Sequence, residues 1–282
     1  MRNLTESNIT EATLARFADT PDPRLRQVMS ALIRHLHGFI RELEPTEEEW
    51  FEAIQFLTDI GQSCSDVRQE AILWSDTMGA SILVEAINHR RPEGASESTV
   101  LGPFYRQGAP EFEHSGDISG DTEGDSVLLR GQVLNLWGEP LAGACLDVWQ
   151  TAPNGLYEVQ DETQPEFNLR GRFYTDERGN FELRTVAPVS YPIPTDGPVG
   201  KLLNATAVHP YRPAHIHFIV SAQGYQPLVT QLFTEGDEYL QSDAVFGVKD
   251  SLVVEYRPST GNERYRVDHD FVLVPQTRGD QS

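Results

Sequence analysis

The sequence predicts a mixed, mainly β protein: an antiparallel β-sandwich catalytic domain over residues 98–282, preceded by an α-helical segment over residues 1–97. Three observations predict it. Between about residues 10 and 90, apolar side chains recur at three- and four-residue steps, the period of an amphipathic helix. From 126 to 275 the chain turns to short runs of β-branched and aromatic residues, broken by Gly, Pro, Asn and Asp. The character changes at Pro92-Glu-Gly-Ala-Ser, a cluster of turn formers that marks a boundary.

The helical part resolves into at least three stretches. Pro21 and Pro23 punctuate the start of one, whose stripe is Val28, Leu32, Leu36, Phe39 and Ile40. Thr46-Glu-Glu-Glu49 supplies a capping box for the next, with acidic residues where the helix dipole favours them and Trp50, Ile54 and Leu57 as its apolar face. Ile72 to Ile87 reads as a further helix with a broad apolar surface. So many apolar faces on a short segment suggest packing against a partner subunit or the second half. A self-contained helical bundle explains the same pattern.

The β part reads as Val127–Leu136, Ala144–Trp149, Phe181–Thr185, Ile216–Val220, Val229–Phe233, Leu252–Tyr256 and Phe271–Val274. Asp176-Glu-Arg-Gly179 has the chemistry of a hairpin loop. Residues 153–168 and 186–213 are long loops rich in Pro, Gly and Asn. Long loops on a rigid β scaffold are where function tends to sit.

A net charge of −21 excludes nucleic acid and anionic membrane as natural partners, since both would be repelled. Two cysteines, Cys64 and Cys145, are too few and too distant for a disulfide framework or a zinc knuckle. No signal-peptide pattern opens the chain and no apolar window is long enough to span a bilayer, so the expected location is cytoplasmic.

The run Arg212-Pro-Ala-His-Ile-His217 continues into Phe218-Ile219-Val220, a strand pattern. Residues two apart on a strand face the same side, so His215 and His217 reach one point in space. Two convergent neutral imidazoles begin a metal site. His35-Leu36-His37 has the same spacing within a helical pattern. There the two residues sit roughly 200° apart around the axis and cannot share a metal.

Each long loop carries a tyrosine in a conspicuous setting, Gly155-Leu-Tyr157-Glu and Ser190-Tyr191-Pro-Ile-Pro. Joined to the histidines, they make a set of two phenols and two imidazoles. Phenolates are hard, strongly donating anions that favour iron(III) over softer metals. Iron(III), two tyrosinates and one hydroxide also sum to zero charge, and a neutral cluster tolerates burial. The histidine spacing equally allows iron(II) or zinc with a carboxylate third ligand, for which Asp196, Asp237 and Glu235 are at hand.

From about residue 98 to 255 the chain resembles the intradiol ring-cleavage dioxygenases, non-haem iron(III) enzymes that split catechols between the hydroxyl-bearing carbons. The resemblance rests on Leu101-Gly-Pro-Phe-Tyr105, Cys145-Leu-Asp-Val-Trp-Gln150, Asn154-Gly-Leu-Tyr157, Leu169-Arg-Gly-Arg-Phe173, Tyr191-Pro-Ile-Pro-Thr-Asp-Gly-Pro198 and Arg212-Pro-Ala-His-Ile-His217. These segments stand in the family's order. The N-terminal helices resemble, more loosely, the segment through which the catechol-cleaving branch dimerises. The resemblance implies one non-haem ferric ion per subunit, held by Tyr157, Tyr191, His215 and His217 with a solvent hydroxide. It implies that the substrate diol displaces the hydroxide and Tyr191. Arg212 matches the family's active-site arginine, and Gln231, in Thr230-Gln-Leu-Phe, its glutamine. It further implies a homodimer through the N-terminal helices and a phospholipid bound at its interface.

Within the family, Leu73-Trp-Ser-Asp76 and the segment from Tyr191 to Pro198 are similar to the branch that cleaves hydroxyquinol, 1,2,4-trihydroxybenzene, with O2 to 3-hydroxy-cis,cis-muconate (maleylacetate) in aromatic catabolism. Asp76 is the telling residue: a carboxylate facing the pocket would bond a third ring hydroxyl and be left unpaired by catechol. By the same resemblance Leu73, Val100, Gly102, Phe104, Ile193 and Pro194 wall the ring, with Arg212 beside it. Position 74 is Trp, where an aliphatic residue is expected in relatives. Catechol or chlorocatechol is the alternative substrate. In another class altogether, a non-catalytic β-sandwich binding module accounts for the acidity and aromatics but leaves the two loop tyrosines unexplained.

Overall fold

The computed structural model describes residues 2–65 and 68–276. Residues 1–59 and 60–282 form two compact units.

The first unit is helical. Helix α1 spans Ile9–Arg16, α2 Pro23–Leu43 and α3 Glu47–Gln62, the last running into the second unit. Helix α2 starts where the prolines place it. Pro23 sits in its first turn, and the Asp22 side chain accepts from the backbone N–H of Arg24 and Leu25 at 2.7 and 3.2 Å. The expected capping box opens α3: Glu49 N–H donates to Thr46 Oγ1 at 3.2 Å, and Thr46 N–H donates to Glu49 Oε2 at 2.8 Å. His37 bonds Thr10 on α1 through Nδ1, whereas His35 is exposed, so the helical His-x-His pair diverges.

In the second unit, the expected helix over Ile72–Ile87 is two helices, α4 (Glu70–Thr77) and α5 (Ala80–Asn88). The break is at Gly79, whose φ of +68° ends α4 in a left-handed turn that glycine adopts without strain. Apolar periodicity runs straight through such a turn and conceals it.

Twelve strands follow among the described residues, with one helix, α6 (Pro198–Ala205). In chain order they are β1 (Ser126–Asn135), β2 (Cys145–Trp149), β3 (Arg170–Tyr174), β4 (Asn180–Val186), β5 (Tyr191–Pro192) and β6 (Tyr211–Arg212). Then come β7 (His215–Ser221), β8 (Leu228–Thr234), β9 (Val253–Val254), β10 (Arg257–Pro258), β11 (Tyr265–Asp268) and β12 (Phe271–Leu273). One sheet has the order β10-β11-β1-β12, with β4 also on β1; the other runs β3-β2-β7-β8-β9. Strands β5 and β6 form a separate two-stranded ribbon.

The expectation of antiparallel sheets is corrected here: both sheets are mixed. Strand β1 pairs in parallel with β11 and then with β12, and β8 pairs in parallel with β9. Parallel partners arrive by long connections, and alternation along a short strand carries no trace of its partner's direction. At Gly131, where β1 passes from one partner to the other, a Cβ would lie 1.7 Å from the carbonyl oxygen of His269. Only glycine admits that approach.

The two sheets share one buried apolar cluster. Val127, Leu129, Phe181, Leu183 and Phe271 contribute from the first, and Leu146, Val148, Ile216, Phe218 and Leu232 from the second. Each such side chain contributes about 1.5–3 kcal/mol on full burial, so β7 is held firmly by the face carrying Ile216, Phe218 and Val220. Its other face is left for chemistry.

Candidate metal centre

Strand β7 lies between β2 and β8, which fixes its register on both sides: His217 is opposite Trp149 and Gln231, and His215 opposite Phe233. His215 and His217 therefore project together from the face turned away from the core. The Trp149 indole stacks on the His217 ring at 4.7 Å with 9° between planes. His215 Nδ1 donates to the carbonyl of Pro213 at 2.7 Å, which turns Nε2 outward as a lone-pair donor.

The two long loops bring the tyrosines to the same point. Tyr157 begins a short 3-10 turn (Glu158–Gln160), with its backbone N–H bonded to Gln160 Oε1 at 3.1 Å. Tyr191 lies on β5, paired across the ribbon with Arg212. The loops meet at Gly155, φ +79°, where a Cβ would sit 3.1 Å from Tyr191 Cβ. Phe104 stacks on the Tyr157 ring at 4.6 Å.

Four donor atoms converge. Tyr157 Oη lies 3.1 Å from Tyr191 Oη and 3.0 Å from His217 Nε2. His215 Nε2 lies 3.1 Å from His217 Nε2 and 3.4 Å from Tyr191 Oη. All four residues are buried. Ligand bonds of about 2.0–2.2 Å require donors roughly 3 Å apart, so this set fits a single cation. Burial pushes His215 down to about 3 and His217 well below the usual imidazole range, which keeps both rings neutral with lone pairs available. Burial and the neighbouring phenol push Tyr157 well above the usual phenol range.

The carboxylate alternative finds no support. Asp196 pairs with Arg68, and Glu235 is exposed. Asp237 Oδ2 instead accepts from Ser190 Oγ and Ala214 N–H, at 2.5 and 2.9 Å, clamping the residues just before Tyr191 and His215. Among the described residues no group of three His, Cys, Asp or Glu is placed to hold a metal.

Arg212 is buried beside the four donors. Its Nε and Nη2 donate to Asp243 at 2.9 and 3.1 Å, Nη2 donates to Gln231 Oε1 at 2.8 Å, and Nη1 lies 3.0 Å from His215 Nε2. Burial opposes its charge, but Asp243 and the two tyrosines hold the guanidinium more basic than usual. Gln231 Nε2 in turn donates to the Val100 carbonyl at 2.6 Å, so glutamine and arginine are locked together. Asp243, 31 residues from Arg212 along the chain, also accepts from Gly247 N–H at 2.9 Å. No spacing rule finds it.

A narrow pocket opens onto Tyr157, Tyr191, His217 and Arg212. Leu73, Val100, Gly102, Phe104, Ile193 and Pro194 line it. Pro103, between Gly102 and Phe104, lines it as well, as does Val245, which nothing in its sequence surroundings announces. Asp76 completes the wall. It is buried, and burial raises its pKa against the opposing effects of a Ser81 hydrogen bond and the Arg212 charge. Leu73 and Asp76 share one face of α4, while Trp74, between them, is 37% exposed and outside the pocket.

A buried site of two phenols and two imidazoles, flanked by a fixed cation on a mainly β scaffold, describes a class of non-haem iron enzyme. Residues 100–275 match the family model described as Dioxygenase, and residues 22–96 the one described as Catechol dioxygenase N terminus. The chain belongs to the intradiol ring-cleavage dioxygenases, an iron(III)-dependent enzyme family. It is 50% identical to a hydroxyquinol 1,2-dioxygenase of Rhizobium sp. (strain MTP-10005), with 95% of each chain covered. It is 47% identical to a 6-chlorohydroxyquinol 1,2-dioxygenase of Cupriavidus pinatubonensis, covering 98% of this chain and 99% of that one. The structure of hydroxyquinol 1,2-dioxygenase from Pseudomonas putida DLL-E4 superposes with a TM-score of 0.91 at 48% identity, over 96% of this chain and 99% of that chain.

Proposed function

We propose that the protein cleaves hydroxyquinol with O2 between its adjacent hydroxyls, giving 3-hydroxy-cis,cis-muconate (maleylacetate), at a ferric ion held by Tyr157, Tyr191, His215 and His217. The observation that carries the substrate is Asp76, a buried carboxylate in an otherwise largely apolar wall of the pocket. A third ring hydroxyl adds a second partner to the Ser81 hydrogen bond, whereas catechol leaves the buried carboxylate with Ser81 alone.

A ferric ion held by these four side chains would supply Lewis acidity to the diol, and the two tyrosinates would offset most of its charge. The residues do the rest. Tyr191 Oη, at the pocket's edge, is placed to accept a proton from the diol. Asp76 fixes the orientation of the ring through its third hydroxyl. Phe104, Ile193 and Val100 exclude water from the ring faces. Arg212, immobilised by Asp243 and Gln231, presents a fixed positive charge to the ring as negative charge develops on it.

Parallel turnover assays on hydroxyquinol, catechol and chlorocatechol test the reading. The expected result is a kcat/KM at least about tenfold higher for hydroxyquinol than for catechol, the scale of one lost oriented hydrogen bond. Comparable values on the two would remove the substrate assignment.

The same proposal takes residues 98–282 as the catalytic domain and 1–97 as a dimerisation segment that also lends α4 to the pocket. A homodimer is supported by the outer face of α2, where Leu25, Val28, Leu32, Leu36, Phe39 and Leu43 are 44–59% exposed at helical spacing. A phospholipid at that apolar interface and a cytoplasmic location complete the reading. No helix among the described residues is long and apolar enough to cross a membrane.

A further inference from the structure

We propose that Arg68 and Asp196 form a brace across the mouth of the pocket and so determine which ring substituents are admitted. The inference rests on the functional reading above, because it takes the pocket beneath the brace as the diol site.

A vestibule of about 260 Å³, open to solvent, adjoins the site and shares Leu73, Pro103, Phe104 and Pro194 with it. Its polar rim includes Arg68, Glu70 and Asp196. Arg68 Nη1 donates to Asp196 Oδ2 at 2.7 Å and Nη2 donates to Oδ1 at 3.0 Å, a bidentate fork. Arg68 Nε and Nη2 also donate to Glu70 Oε2, at 3.1 and 2.9 Å. Glu70 is buried, and its Oε1 accepts from Val199 N–H in the first turn of α6 at 3.0 Å. The fit is tight: a Cβ on Gly197 would lie 2.4 Å from Glu70 Oε1 and 2.5 Å from Arg68 Nη2.

What the brace joins gives it a role. Arg68 stands two residues before α4, which presents Leu73 and Asp76 to the ring. Asp196 stands two residues after Pro194, which with Ile193 forms another wall. Two walls far apart in sequence are thus held at a fixed gap by one guanidinium. Glu70 is the anchored half, since burial and the α6 backbone fix it. Asp196 is the releasable half: its side chain is 72% exposed, and such a pair adds little to overall stability. Its effect falls on the width of the entrance.

The test uses the iron-loaded full chain, titrated without oxygen with catechol and with tert-butylcatechol, each followed through the visible tyrosinate–iron band. In Asp196→Asn and in Arg68→Gln, affinity for the bulky diol should rise about five- to tenfold relative to catechol, with the band of the free protein unchanged. The double variant should show no more than the larger single effect, because each change already breaks the Arg68–Asp196 link. Asp196→Asn leaves the Glu70–Val199 bond in place, which separates the brace from the folding of α6. A ratio within about twofold of the parent's in both single variants, or effects that multiply in the double, overturns the brace alone. A parent band that no diol perturbs contradicts the functional reading, and this inference with it.

Discussion

Arg212→Met is expected to lower kcat by about 10²- to 10³-fold, the cost of removing one fixed, preorganised charge from a reacting centre. The four donor residues remain, so iron content and the visible band should persist. The same change leaves Asp243 as a buried carboxylate without its cation, which costs about 3–5 kcal/mol of stability. The two effects separate in the double variant Arg212→Met/Asp243→Leu, which should recover stability in urea unfolding but not turnover. A single variant that retains kcat within about tenfold would reduce Arg212 to a structural anchor for Asp243 and Gln231.

Asp76→Ala is expected to erase most of the preference for hydroxyquinol over catechol. The carboxylate is buried, and the surrounding pocket offers the ring mainly Leu73, Val100, Phe104, Ile193 and Pro194. With hydroxyquinol a ring hydroxyl joins Ser81 in replacing lost solvent; with catechol Ser81 is left to do so alone. Removing it should lower kcat/KM for hydroxyquinol by about tenfold or more and leave catechol equal or improved. Asp76→Asn, which keeps an acceptor in place, should retain part of the preference. Equal losses on both diols, with iron still bound, would make the residue structural.

The parts of this molecule that sequence reveals are those with a local signature. His215 and His217 are legible because β7 alternates between an apolar core face and a chemical face. The α2 and α3 starts are legible because Asp22, Pro23 and the Thr46–Glu49 box act within one turn. Tyr157 and Tyr191 are different. A tyrosine in a proline-rich loop usually packs, and only the joint order of the family's segments lifted these two out. The parallel pairing of β1 and β8 left no mark, since strand direction is decided by distant segments. The left-handed turn at Gly79 was hidden within an unbroken apolar period. Asp243 and Val245 reach the site through the tertiary fold alone. Trp74 shows the converse case: helix geometry turns it out of the pocket that its neighbours line.

Two phenolates and two imidazoles are proposed to bind one ferric ion beneath the pocket. The visible absorption spectrum of the iron-replete protein tests it most directly. Tyrosinate bound to iron(III) gives a broad charge-transfer band, so the account predicts a red to burgundy protein whose band shifts when hydroxyquinol is added without oxygen. A colourless protein with stoichiometric iron would contradict it.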